Sequence, residues 1–451
     1  MAETDVVASE GLQKLGYKQE MTRSRGLFHI LFTYGLAAPI ATSLIGGGPV
    51  TMIWGLILVA LLTLPLALSL AEICSQYPTS AGAYYWTYRL APQRYKVILS
   101  WVNGWLTMVG VWTISLSVTF GTAQLVVSGA GIYHPDWVAE PWQTYVIFLG
   151  VTAVASFVCI FFNNILPMLD IICACWTALG TVVILVCLSA KAASGRHTAA
   201  YALGHFDASS SGWTPGWAFF VGLLAVSYTF SAIGMVASMA EEVHNPAVDL
   251  PRAIVWSTMS SGQPIGVMFE LIMGTKGGGF GMVIFGIGMF CAISICCAAS
   301  RATWAFSRDN ALPFPRVFAK VNAHTGVPLN AFLLSTAVQL LLGLLYLGSS
   351  AAFNAFVGVA VICLGTSYAL PVAVLLARGR RGVEGAPFPL GRWGGLCNAM
   401  AVLWIVFAIV IFSMPAVVPP TTTSMNYASV VFVGFATISA VWYLLSAFGF
   451  S

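Results

Sequence analysis

Charge is scarce in this chain. Asp, Glu, Lys and Arg make up 8% of its 451 residues, against 59% hydrophobic residues, whereas soluble domains run at roughly 25% charged. A water-soluble fold has too little polar surface here to cover so much apolar area, so the sequence places the chain in a lipid bilayer. The motifs of common enzyme classes are missing as well. There is no Walker A run, no His-Glu-x-x-His and no Gly-x-Ser-x-Gly. Gly277-Gly278-Gly279 lacks the strand–helix setting of a nucleotide loop and reads as a hinge. The six histidines are scattered without metal-ligand spacing, and no extended basic face is present for nucleic acid. The expectation is therefore no enzyme, no metal and no cofactor. No Asn-x-Ser/Thr sequon occurs, and the first 26 residues lack the apolar run of a cleaved signal peptide. Ten cysteines could suggest a disulfide scaffold. Most of them, however, sit inside apolar runs (Cys159, Cys173, Cys175, Cys187, Cys291, Cys296, Cys297 and Cys363) and read as small buried hydrophobes.

What is present is a series of apolar segments. Residues 1–26 read as a mobile cytoplasmic tail, 27–446 as one transmembrane domain and 447–451 as a short C-terminal tail. A first, irregular segment runs from Leu27 to Ile45 and is followed by the turn Gly46-Gly47-Gly48-Pro49. Further segments cover Val50–Ile73, Tyr95–Val127, Trp142–Phe162, Ile165–Ala190 and a sixth ending at Ala240. Later ones cover Phe280–Ala299, Leu329–Leu347, Phe353–Ala377, Leu396–Met414 and Tyr427–Leu445. Gln76–Gln93 is too polar and aromatic to span and reads as an interfacial linker. Arg378–Arg392 is a basic, Gly/Pro-rich connection.

The chain is organised around Tyr228–Ile254. This stretch starts apolar, passes through the small residues Ser231-Ala232-Ile233-Gly234, and ends abruptly in Glu241-Glu242, Asn245-Pro246, Pro251 and Arg252. Small residues let a membrane helix unwind and show backbone groups to a ligand. A kinked, closely packed helix is the plainer alternative.

Basic residues collect in the tail, at Arg89, Arg94 and Lys96, at Arg301, Arg308, Arg316 and Lys320, and at Arg378–Arg392. The positive-inside rule puts these on the cytoplasmic side. Arg252 and Arg301 then share a side, so the chain must cross twice between them. Phe280–Ala299 is one crossing. The other must fit into a stretch containing Gln263, Pro264, Glu270 and Lys276, where no run approaches the roughly 20 apolar residues that a span needs. The expectation is a broken substitute: a stub over Pro251–Met259, then a partial helix over Gln263–Met273.

Three stretches resemble the amino acid–polyamine–organocation (APC) transporter superfamily. They are A-E-I-C-S-Q-Y-P-T-S-A-G-A-Y-Y-W (Ala71–Trp86), F-S-A-I-G with E-E-V-H-N-P and D-L-P-R-A-I (Phe230–Ile254), and C-C-A-A-S-R-A-T-W-A-F-S-R-D-N-A-L-P-F (Cys296–Phe314). The chain is similar to the fungal branch containing choline and gamma-aminobutyrate (GABA) permeases. The resemblance implies an all-α, leucine-transporter-like inverted-repeat bundle of about 11–12 transmembrane segments. Segments one and six would be broken at mid-membrane, at Gly35–Pro39 and Ser231–Gly234, with substrate bound there. Gly35-Leu36-Ala37-Ala38-Pro39 departs from the Gly-Ser-Gly-Ile-Gly run of many amino acid permeases. Segment seven is essentially absent between Arg252 and Ser260 and degenerate over 253–279.

The candidate substrate site is Tyr34, Gly35, Ala37, Ala38, Pro39, Trp105, Trp112, Tyr228, Phe230, Ser231, Ala232 and Gly234. Its aromatic rings could attract an ammonium group by cation–π interaction, ordinary helix packing being the plainer reading of each. Glu72, Asp170, Glu241, Glu242, Arg252 and Arg301 are gate or coupling candidates: the carboxylates lie near segment ends, where pairing with Arg89, Arg252 or Arg301 would close an inner gate. Asp170 is also the candidate proton-linked group, and the coupling ion stays unassigned between H+ and Na+. The function expected is secondary active transport, most naturally at the plasma membrane, of an amino acid, GABA, choline or a polyamine. The alternative is a non-transporting nutrient receptor or an inactive variant of such a permease.

Overall fold

In the computed structural model, residues 3–26, 40–134, 136–191, 198–260, 278–348, 351–421 and 425–449 are described. Among them no strand forms, only two isolated bridges, and the fold is all α. The helices in chain order are α1 (Glu3–Lys14), α2 (Ile40–Ile45), α3 (Pro49–Gln76), α4 (Ala83–Leu90), α5 (Lys96–Tyr133), α6 (Pro141–Phe161) and α7 (Leu166–Lys191). Then come α8 (Ala199–Gly204), α9 (Pro215–Gly222), α10 (Leu224–Phe230), α11 (Pro246–Ser260), α12 (Gly278–Arg308) and α13 (Pro315–Phe318). The last are α14 (Leu329–Gly343), α15 (Leu345–Gly348), α16 (Ala351–Ala377), α17 (Gly394–Phe412) and α18 (Ala428–Gly449). Nine stretches among the described residues are long and apolar enough to cross a membrane. The chain is thus a multi-pass membrane protein.

Helix α5 is the centre of the bundle. Every residue from 107 to 123 is buried, so the helix is enclosed on all sides, as its unbroken run of apolar and small polar residues demands. The hydroxyls of Thr107, Thr113, Thr119 and Thr122 donate to carbonyls four residues back in the same helix, which satisfies them without water. Around α5 pack α4, α6, α12, α14, α16 and α18. Helix α3 carries α11 and α17 on its flanks.

The turn at Gly46–Pro49 is present. Gly48 has φ 67° and Pro49 is the first residue of α3, so only the glycine fits the left-handed position before the helix. The stretch read as an interfacial linker forms α4, a helix buried through Tyr84, Tyr85, Trp86 and Leu90. Trp86 is completely covered, with its indole N–H on Tyr77 O.

The region of segment seven requires a correction. Residues 252–260 are helical, within α11, which is 15 residues long. Its face of Leu250, Ala253, Ile254, Ser257 and Thr258 is buried, and α11 packs on α3. The spacing of these residues is that of one helical stripe, which is why the segment folds despite Pro251. The stub begins five residues earlier than the sequence suggested. At about 1.5 Å per residue its 15 described residues extend about 22 Å. The partial helix expected over Gln263–Met273 lies outside the described residues.

The far end of the molecule is held by loops. Trp54 and Trp213 donate to Leu203 O and Pro415 O, and Val418 N donates to Ser211 O. The nine described cysteines are free thiols, most of them buried, while Cys175 faces outward from the bundle.

Candidate functional site

The α-helix of segment six ends at Phe230. Ser231 N bonds to Tyr228 O, and its hydroxyl donates to the same carbonyl at 2.7 Å, which closes the helix end. The chain then continues as a tight 3-10 turn over Ile233–Met239. Gly234 is the point of closest approach: a Cβ added there would lie 2.4 Å from Cε1 of Tyr368 on α16. No side chain fits between this backbone and the Tyr368 ring.

Tyr368 separates two small cavities. One, of about 30 Å³, is lined by Thr63, Ser227, Phe230, Ser231, Trp404 and Phe412 among others. The other, of about 20 Å³, lies toward Ser80, Met108, Gly234 and Ser238. Tyr368 lines both. Each volume is on the scale of one or two waters, so the bundle is closed around this level. The hydroxyls of Tyr368 and Ser227 are buried; Ser227 makes no hydrogen bond, and Tyr368 meets only the Gly234 backbone. Buried polar atoms are nearly always paired, and an unpaired one calls for an explanation.

Below this level the helix ends meet a dense set of ion pairs. Glu242 is held by Arg301 Nε at 2.7 Å and by Arg25 Nε at 2.9 Å. Arg25 also reaches Asp170 at 2.6 Å, and Ser294 donates to the other oxygen of Asp170. Arg301 further donates to Asn163 and Ser300. Burial alone would raise the Glu242 carboxyl, but the two guanidiniums outweigh it and hold it down at about 2. The same carboxylates raise Arg25 above its ordinary value, against the desolvation that would lower it.

Glu241 forms a second cluster. It accepts from Arg308 at 2.7 Å and from Ser80 at 2.8 Å. The Arg308 guanidinium stacks over the rings of Tyr17 and Trp304, each 4.3 Å from the centroid. Its neighbour Asp309 accepts from Tyr17 and Tyr84 at 3.0 and 2.7 Å. Desolvation raises the Asp309 carboxyl above its usual range in spite of these donors. In a third cluster Glu72, at the end of α3, takes Arg380 at 2.7 Å and the Leu390 N–H at 2.9 Å.

Residues 3–26 do not stand away from the bundle as a free tail. Gln19 donates to Glu241 O, Arg23 to Val243 O, and the N–H groups of Ser24 and Arg25 to Glu242 O. Asp5 and His244 are 2.9 Å apart. The tail is a strap beneath the broken helix.

Of the residues singled out from sequence, Tyr228, Phe230, Ser231, Ala232 and Gly234 are brought together and buried. Tyr228 is fixed by Ser117 at 2.6 Å. Trp105 and Trp112 lie elsewhere. Trp112 donates to Thr303, and Trp105 packs edge-on against Phe306 beside an apolar groove between α5 and α18. Tyr34, Gly35, Ala37, Ala38 and Pro39 lie outside the described residues. Glu72, Asp170, Glu241, Glu242 and Arg301 all belong to the ionic clusters. Arg252 is exposed on α11, and Arg89 lies over the Tyr77 ring instead of on a carboxylate. Sequence reading missed Arg25, Arg308 and Arg380 as the partners, and missed Tyr368 and Ser227. The polar interruption Gly365-Thr366-Ser367-Tyr368 in an otherwise apolar helix was the available signal for Tyr368.

The clusters also settle the sidedness of the basic residues. Glu72 ties Arg380 to the end of α3, and Ser80, just beyond that end, shares Glu241 with Arg308. Arg301, Arg308 and Arg380 therefore emerge on one face, and α12 reaches it from the far side.

The sequence comparisons agree with this architecture. A family model described as "Amino acid permease" matches residues 26–262 and 257–435. The two matches meet at 257–262, where α11 ends. A choline transporter of Saccharomyces cerevisiae is 31% identical over 91% of this chain and 77% of its own length. Amino-acid permease BAT1 of Arabidopsis thaliana is 31% identical over 97% of this chain and 94% of its own. Polyamine transporter TPO5 of Saccharomyces cerevisiae is 30% identical over 88% and 70%. The alignment with the Arabidopsis permease spans 495 positions, more than this chain contains, so parts of that relative have no counterpart here. An all-α bundle with a broken helix, several independent motifs and matches over most of the chain establish that this chain belongs to the amino acid permease family of the APC superfamily, a family of transporters and not of enzymes.

Proposed function

We propose that this chain is a secondary active transporter of a small amine-bearing solute (an amino acid, GABA, choline or a polyamine) working by alternating access, most naturally in the plasma membrane. The observation that carries the reading is the end of the helix at Phe230, with Gly234 against Tyr368 and the unpaired hydroxyl of Ser227 beside it. Backbone freed at a helix break offers C=O groups to a cation and N–H groups to a carboxylate. Segment one, with Tyr34 and Gly35–Pro39, completes the site in this proposal. Tyr228, Phe230, Ser231, Ala232 and Gly234 supply its other wall.

The ionic clusters act as the inner gate. Glu72, Asp170, Glu241, Glu242 and Arg301 are bound on the face that the positive-inside rule makes cytoplasmic. Opening that face requires Arg25 and Arg301 to leave Glu242. Asp170 is the candidate proton-linked group in this scheme, and its proton would compete with Arg25. Arg252 stands at the gate's rim.

A second reading, a non-transporting receptor or inactive variant, draws support from the family match that divides at 257–262. Uptake of labelled amino acids, GABA, choline and spermidine in a permease-deficient host separates the two. Accumulation of one of them is expected. Binding without accumulation would favour the receptor.

A further inference from the structure

Tyr368 and Ser227 are each more than nine-tenths buried; the Ser227 hydroxyl is without a partner, and the Tyr368 O–H donates to none, its oxygen meeting only the Gly234 backbone. They line one cavity with Phe230, Trp404 and Phe412. Resting on the transporter reading above, we infer that this cavity selects a solute with a single positive charge, carried on an alkylated (quaternary) ammonium, and one hydrogen-bonding group, and that it rejects polycations.

The argument is one of charge. The chain has fifteen Asp and Glu residues. Those within or beside the bundle are engaged at the basic face: Glu72 with Arg380, Glu241 with Arg308, Asp170 and Glu242 with Arg25, and Asp309 with two tyrosines. Glu3, Asp5, Glu10 and Glu20 are in the tail, Asp249 is in the first turn of α11 and Glu384 is in the basic loop. Asp136, Glu140 and Asp207 lie in the loops before α6 and after α8. Residues 27–39 contain no acid, and Glu270 lies outside the described residues. No carboxylate among the described residues lines the cavity. A second positive charge at this depth would have no counter-ion there, a heavy cost in the membrane.

The lining also distinguishes between monocations. A primary ammonium brings three N–H donors, each needing an acceptor. Among its side chains the cavity offers the Ser227 and Tyr368 hydroxyls, and the Tyr228 carbonyl at the break already accepts from the N–H and the hydroxyl of Ser231. A quaternary ammonium has no N–H to satisfy and is recognised by aromatic side chains, of which Phe230, Tyr368, Trp404 and Phe412 are present. The solute's own hydroxyl or carboxylate then pairs with Tyr368 and Ser227. At about 30 Å³ the cavity is closed, so the solute enters when the surrounding helices part.

The test is competition against bound radiolabelled choline on the purified full chain, with tetramethylammonium, GABA and spermidine as competitors. Tetramethylammonium is expected to compete at least about tenfold better than spermidine. Trp404→Leu and Phe230→Leu are each expected to weaken choline binding by about 3- to 30-fold, with Trp404→Phe retaining most of it. Spermidine competing as well as tetramethylammonium, failure to bind choline, or unchanged choline affinity in folded Trp404→Leu and Phe230→Leu would each overturn the inference. Uptake into vesicles is read separately. Choline binding without accumulation sinks the transport reading and leaves the cavity's selectivity standing. Accumulation of spermidine alone does the reverse.

Discussion

Arg301 Nε lies 2.7 Å from Glu242 Oε1, and the arginine side chain is wholly sealed from solvent. A charge pair in such a place is expensive to form and more expensive to break from one side. Replacing Glu242 with Gln would leave Arg25 and Arg301 buried with Asp170 as their nearest counter-charge. The expected cost is about 3–5 kcal/mol. A fall of several degrees in the thermal midpoint of detergent-purified Glu242→Gln would bear this out. A midpoint within a degree of the parent would mean that the cluster is open to water.

The same carboxyl gives a pH dependence with a defined sign. Its folded value, about 2, lies below the unfolded value of about 4.3. A depressed acid stabilises the fold above its unfolded pKa, and that contribution is lost as pH falls toward the folded pKa. Glu242 should therefore add no pH dependence between pH 8 and 5, and a loss of stability confined to the region below about pH 4. In Glu242→Gln this acid-side component should shrink. A wild-type loss centred near pH 6 would point to another group.

The strap makes a prediction about access. Cys297 Sγ is 3.8 Å from Arg25 Nη2 and the residue is buried. With Cys297 as the sole cysteine, Arg25→Ala should raise its rate of modification by a small thiol reagent at least about tenfold, because the guanidinium that covers it is gone. An unchanged rate would remove residues 3–26 from the gate.

Much of this arrangement was legible in the sequence, and the parts that were not share a cause. The end of the helix at Phe230 follows from the small residues after it, and α11 follows from Leu250, Ala253, Ile254, Ser257 and Thr258 on one stripe. Glu241 and Glu242 announced a cluster by being adjacent at a helix exit. Their partners were not legible, because Arg25 and Arg308 are distant in the chain and pairing is set by the fold. Trp105 and Trp112, seven residues apart, do share a side of α5, but that side meets Phe306 and Phe435 instead of the cavity. Periodicity says which residues share a face, not what the face meets. Tyr368 was missed for the related reason that the polar interruption Gly365-Thr366-Ser367 marks its helix but does not say what the side chain meets.

Tyr368→Phe separates function from packing. The lost O–H donates to no partner and its oxygen meets only the Gly234 backbone, so its removal should change stability by no more than about 1 kcal/mol. Affinity for the solute should fall by about tenfold, the worth of about 1.4 kcal/mol. A destabilised Tyr368→Phe with normal affinity would make the residue structural.

The central claim is that solute passes at the break between Phe230 and Gly234, and labelled-solute uptake by Gly234→Leu tests it most directly. The added side chain has no room beside Tyr368, where a Cβ alone would come within 2.4 Å. With the variant present at the cell surface at the parent's level, uptake should fall to background. Unchanged uptake by Gly234→Leu would show that the solute's path lies elsewhere.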